Sequence, residues 1–244
     1  MGTSAPYDAP PSWEHVKADV TRLAKDGNIP AAKLRRLVQK VVHANGGKTE
    51  MSRGDRRGAS GGAGSAAPAR AAAGRLANFI SDVQQFGLSE AAKRAGLGDL
   101  GGMSVSDLLN TLLDRLGGES STIDDADARQ ALSDLQEELL AEAKTVEEVE
   151  AILSNPELNI EGLLERYFGH YIFEQFSRVF YERLVQRVGA QQAVSFLGQI
   201  REFIQSSLAG RALERDLSKV DWGGTDGANI VNEICAQTLE VFGA

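Results

Sequence analysis

Seven of the chain's 15 aromatic residues, Tyr167, Phe168, Tyr171, Phe173, Phe176, Phe180 and Tyr181, fall within residues 167–181. They lie in a proline-free run from Ile160 to Val188, and at helical spacing they occupy more than one face. A surface helix needs only one apolar stripe. A helix with bulky rings on several sides needs neighbours on several sides, so this run predicts the centre of a helical bundle, stopped by Gly189. Phe196 and Phe203 on the next segment are spaced to pack against it, which makes the rings a core rather than a ligand box.

The rest of the chain supplies the neighbours. Leu76, Phe79, Ile80 and Val83 form one stripe, closed by Gly87. Ser104-Val-Ser-Asp107 reads as a capping box that opens Leu108, Leu109, Leu112, Leu113 and Leu116, ended by Gly117-Gly118. A helix from Asp124 to about Ala143 carries Ala128, Ala131, Leu132, Leu135 and Leu139 opposite an acidic face. Thr145-Val-Glu-Glu148 opens a short helix that Asn155-Pro156 ends. Helices follow from Ala190 to about Leu217 and from Asp226 to Phe242. No segment alternates with period two, so the fold class is all-α.

The front of the chain is organised differently. Pro6, Pro10 and Pro11 predict an extended arm over residues 1–12. Ser12 would cap a helix from Trp13 to about Lys25, with Val16, Val20, Leu23 and Ala24 on one face. Gly27-Asn28-Ile29 turns the chain, Pro30 opens a second helix, and Leu34, Leu37, Val38, Val41 and Val42 line it up to Asn45. This helical hairpin, residues 13–45, is too small to stand alone and wants a partner surface. Residues 46–68, rich in Gly, Ala, Ser and Arg, have almost nothing to bury and read as a flexible linker. Residues 69–244 form the multi-helix bundle domain.

Composition excludes several classes. An apolar content of 42% excludes full disorder, and the single Cys235 excludes a disulfide framework or Cys-based zinc cluster. Net charge is −8, but residues 14–57 carry +6 and residues 104–165 carry −13. No apolar run reaches the length of a membrane span, and the start carries no basic and apolar leader, so a cytoplasmic protein is expected.

Candidate chemistry is sparse. His15, His43 and His170 are dispersed, and His170 among aromatics reads as structural. Cys235 on an apolar helix face reads as a core thiol. Gly61-Gly-Ala-Gly64 precedes no strand–helix unit and is no phosphate loop. Asp124-Asp125-Ala-Asp127 lacks calcium-loop spacing and suits a helix start. Glu137, Glu138, Glu147 and Glu148 read as a solvated acidic face. The expectation is a non-enzyme with no cofactor and no metal.

The extreme N-terminus carries the sharpest signal. Gly2 permits removal of Met1, exposing a glycine α-amine. Pro6 stands where the myristoylation pattern requires Ser or Thr. An amine with a pKa of about 7.7–8 is partly neutral, and therefore nucleophilic, at physiological pH. Glycine also lets another protein's backbone close tightly around it.

Met1-Gly2-Thr3-Ser4, the arm ending Pro10-Pro11-Ser12-Trp13, the Gly/Ala/Ser/Arg linker, Leu208-Ala-Gly-Arg-Ala and Val220-Asp-Trp222 together resemble the QatB family. That family is the small helical component of the bacterial Qat anti-phage defence system. The resemblance implies partners: a QueC-like enzyme (QatC), an ATPase and a TatD-like nuclease. It also implies that Gly2 is a modification site for a deazaguanine, with Gly2, Thr3, Ser4, Ala5, Pro6 and Trp13 contacting QatC. Two other classes remain open. One is nucleic-acid binding through Lys33, Arg36 and Lys40, which share one helix face. The other is a helical adaptor or secretion chaperone that docks a basic client on its acidic helices.

Overall fold

A computed structural model describes residues 11–45, 47, 66–118, 122–209, 217 and 220–242. Among these residues every regular element is a helix: α1 Pro11–Leu23, α2 Ala31–Ala44, α3 Ala67–Phe86, α4 Leu88–Arg94, α5 Val105–Gly117, α6 Ile123–Leu140, α7 Val146–Leu153, α8 Ile160–Val188, α9 Ala190–Leu208 and α10 Thr225–Val241. The all-α expectation holds.

The aromatic run is the axis of the molecule. Helix α8 packs against α1, α3, α6, α9 and α10, and Tyr167, Phe168, Tyr171, Phe173, Phe176 and Phe180 are all buried. Only Tyr181 reaches solvent. Phe176 links Phe180 and Phe196, with ring centroids 4.8 and 6.4 Å away. Gly169 lets α9 approach closely, since a Cβ there would lie 2.6 Å from Leu208 Cδ1.

Local signals set most boundaries. Ser104, Thr145 and Asn159 accept hydrogen bonds from the backbone N–H groups of Asp107, Glu148 and Gly162, satisfying first-turn donors of α5, α7 and α8. Thr122 and Asp125 form a reciprocal capping box, so α6 begins one residue before the expected Asp124. Helix α1 begins at Pro11, two residues before Trp13, because a first-turn proline gives up only an N–H that has no intrahelical partner. Helix α9 stops at Leu208 rather than near Leu217, and Ala209 is extended. In that last turn the Ser206 and Ser207 hydroxyls donate to the Phe203 carbonyl, 3.1 and 2.7 Å away. The expected continuation through residues 210–216 lies outside the described residues.

Helix α4 takes its cap from another helix. The Leu88 N–H, at the head of α4, donates to Glu150 Oε1 of α7 at 2.9 Å, so the cap comes from 62 residues away.

Helices α1 and α2 form the expected hairpin, and every predicted inward residue from Val16 to Val42 is buried. The surface it needed lies on its own chain. Trp13 packs on Phe180 of α8, and α2 packs on α9. Two glutamines one heptad apart on α9 hold the turn. Gln192 Nε2 donates to the Ala24 carbonyl, while Gln199 accepts from Ile29 N–H and donates to the Gly27 carbonyl, each at 3.0 Å.

Candidate functional site

The arm residues Gly2, Thr3, Ser4, Ala5 and Pro6 lie outside the described residues. Trp13, where the arm meets the body, is only 8% exposed, with its ring centroid 6.1 Å from that of Phe180. It anchors α1 and is not displayed at the surface.

The basic face of the hairpin carries its own counter-charges. Lys40 and Arg22 both pair with Asp19, Arg22 at 2.6 Å, and Lys33 lies 3.7 Å from Asp26. The hydrogen bond from Lys40, aided by both cations' charge, holds the Asp19 carboxyl below the usual carboxylate range. Arg36 is exposed and makes no ion pair among the described residues. Cations already paired within the hairpin release fewer counterions from a polyanion than free ones would.

The acidic helices divide in two. Glu137, Glu147 and Glu148 are exposed, as a solvated face requires. Asp127 and Asp134 of α6 are instead buried, and they meet cations presented by α8 and α9. Arg178 Nε donates to both Asp127 carboxylate oxygens, at 2.8 and 3.2 Å, and Arg201 reaches Asp134 at 3.1 Å. Glu138, at the edge of this seam, pairs with Arg166 at 3.0 Å and His170 Nε2 at 2.8 Å. The His170 hydrogen bond is the main cause that lowers the Glu138 pKa. Burial raises that of Asp127 against the pull of Arg178. Glu174 is pushed up to about 7, first by burial and then by the nearby Asp134 carboxylate, with Arg201 opposing.

A buried carboxylate poised near neutrality is a pattern found in acid–base sites. Here the groups are spent on one another across the α6–α8–α9 seam, and the clefts beside α3, α2 and α4 are lined by other residues. The seam is a structural ion network. Its sequence trace was the seven-residue spacing of Asp127 and Asp134, which places both on the face that carries Ala131 and Leu135; the cationic partners left no local trace.

Cys235 is buried, and burial pushes its thiol up to about 12, which leaves it unreactive. Asp125 caps α6, while Asp124 and Asp127 both reach Arg178, at 3.9 and 2.8 Å, so these carboxylates serve the helix start and the seam. Among the described residues, no group of three or more His, Cys, Asp or Glu side chains is placed to hold a metal, and no helix is long and apolar enough to cross a membrane.

The family model of QatB, "Qat anti-phage system associated protein QatB", matches residues 58–242. The chain belongs to the QatB family. The match takes in α3 to α10, and with them the ion seam and the aromatic core. The arm and the whole basic region, residues 14–57, precede the matched segment. Comparison with curated proteins and with solved structures found no match. Membership of the QatB family gives the chain a role in the Qat anti-phage system.

Proposed function

We propose that this QatB-family chain is a non-catalytic, cytoplasmic component of a Qat system whose helical body docks on the QueC-like QatC and whose arm delivers the Gly2 amine to that enzyme. QatC would activate the carboxylate of a deazaguanine with ATP. The neutral amine of Gly2 attacks the activated carbonyl, AMP leaves, and the amine's extra proton is lost, giving an amide. Thr3, Ser4, Ala5 and Pro6 would line the partner's cleft, with Pro6 limiting the entropy lost on ordering. The ATPase and the TatD-like nuclease are further partners in this reading.

The observation that carries it is the burial of Trp13 against Phe180. An arm that must reach a second protein's active site needs a fixed root, and Trp13 ties the first helix to the centre of the body. The nucleic-acid reading has less support, because Asp19 and Asp26 answer Lys40, Arg22 and Lys33.

The test is intact mass spectrometry of the chain expressed with and without QatC, together with phage-challenge assays. One residue inserted between Met1 and Gly2 moves the amine by about 3.3–3.6 Å. Attack requires an approach to within about 3–3.5 Å, so the insertion is expected to abolish the adduct and the defence while leaving the melting curve unchanged. Gly2→Leu is expected to do the same. An unmodified N-terminus in the wild type, with full defence in both variants, overturns the proposal.

A further inference from the structure

Between α3, the C-terminal ends of α4 and α5, and the start of α10 lies an open cleft of about 820 Å³. That volume falls within the range of small-molecule sites. Its described wall carries four arginines, Arg70, Arg75, Arg94 and Arg115, against one carboxylate, Asp82. In a chain of net charge −8, this is a local concentration of positive charge.

The arginines differ in how far they are already committed. Arg75 donates from Nε to the Leu116 carbonyl at 2.7 Å and from Nη2 to the Gly117 carbonyl at 3.0 Å, at the C-terminus of α5. Arg94 lies over the Phe86 ring and reaches Asp82 at 3.4 Å and Glu90 at 3.5 Å. Arg70 donates to Asn232 at 2.9 Å. Arg115 is exposed and makes no hydrogen bond or ion pair among the described residues. Burial lowers the pKa of Arg75, and the charge of Arg115 adds to that, so the two guanidinium groups lie within electrostatic reach of each other.

The wall holds a second unmet demand. Trp222 is only 5% exposed, and its indole N–H has no acceptor among the described residues. A buried donor left unsatisfied is costly. The floor is apolar, with Phe79, Leu116 and Val231 buried beneath it. Cations and an unpaired donor beside an apolar floor suit a ligand that is anionic at one end and a flat ring at the other.

We propose that this cleft binds a nucleoside di- or triphosphate, with Arg115 and Arg70 on the phosphates and the base over the Phe79–Leu116–Val231 floor. The inference does not depend on the N-terminal amine, because the purified chain without any partner is the binding species.

The test is isothermal titration of the full chain at physiological salt with ATP, GTP, pyrophosphate and adenosine. Saturable binding of ATP or GTP is expected, tighter than pyrophosphate and absent for adenosine. Arg115→Ala removes no hydrogen bond or ion pair among the described residues, so its circular dichroism and melting temperature should match wild type. Loss of one charge-assisted phosphate contact is expected to weaken nucleotide binding at least about tenfold, with Arg115→Lys recovering part of it. Arg36→Ala on the hairpin should bind as wild type does. Absence of saturable nucleotide binding, or equal affinity in Arg115→Ala and wild type, overturns the proposal. Pyrophosphate binding as tightly as ATP overturns the nucleoside assignment.

Discussion

Among the described carboxylates, Glu174 has its pKa raised furthest. Its side chain sits beside Asp134 at the α6–α8–α9 seam, where burial and the neighbouring carboxylate raise its pKa to about 7 from an ordinary 4.5. The folded state therefore holds this proton more tightly than the unfolded chain does. Stability from this group is full below about pH 4.5, falls as pH rises towards 7 and is level above that. Glu138 acts in the opposite direction: its lowered pKa contributes stability above its ordinary value and loses it on acidification. Glu174→Gln mimics the protonated form. It is expected to raise stability at pH 8 by about 1–2 kcal/mol, held below the full shift because Arg201 is partly open to water, and to change little at pH 4. Urea melts at the two pH values measure this; a variant less stable than wild type at pH 8 would show that the Glu174–Arg201 contact outweighs the burial cost.

At the scale of the element, α8 is held by rings rather than by its caps. Phe176 touches Phe180 on its own helix and Phe196 on α9, and Phe180 in turn supports Trp13 on α1. Phe176→Ala leaves a cavity where three helices meet, and a buried Phe truncated in this way costs about 3–5 kcal/mol. A chemical-denaturation midpoint unchanged from wild type would contradict that placement. The boundaries of most elements were legible because their causes are local: a Thr or Ser side chain reaching the third residue of its own helix, or Gly189 at a positive φ of 86° between α8 and α9. Helix α4 was not legible, because Glu150 caps it from another helix. The early end of α9 escaped for a different reason. Ser206 and Ser207 are compatible with a helix interior, and the end is marked only by the extended backbone of Ala209.

At the scale of the whole molecule, the hairpin and the bundle share one continuous apolar core, from Trp13 and Leu37 through Phe180 to Phe242. A shared core makes unfolding a single cooperative event. With Trp222→Phe, Trp13 becomes the one indole and reports only on the α1–α8 junction. Its fluorescence is expected to change at the same denaturant concentration as the far-ultraviolet helix signal, and an earlier Trp13 transition would mark the hairpin as a separately melting unit. The all-helical class, the central place of residues 160–188 and the inward faces of the hairpin followed from the sequence alone, because apolar periodicity and capping residues act over a few positions. Which surface the hairpin covers depended on the tertiary structure. So did the pairing of Asp127 and Asp134 with Arg178 and Arg201, and the gathering of Arg70, Arg75, Arg94 and Arg115 around one cleft. Each carboxylate lies tens of residues from its arginine on another helix, and the cleft's arginines come from three helices. Charge interactions act through space, with no sequence period to announce them, so only the packing of α8 among its neighbours brings them together.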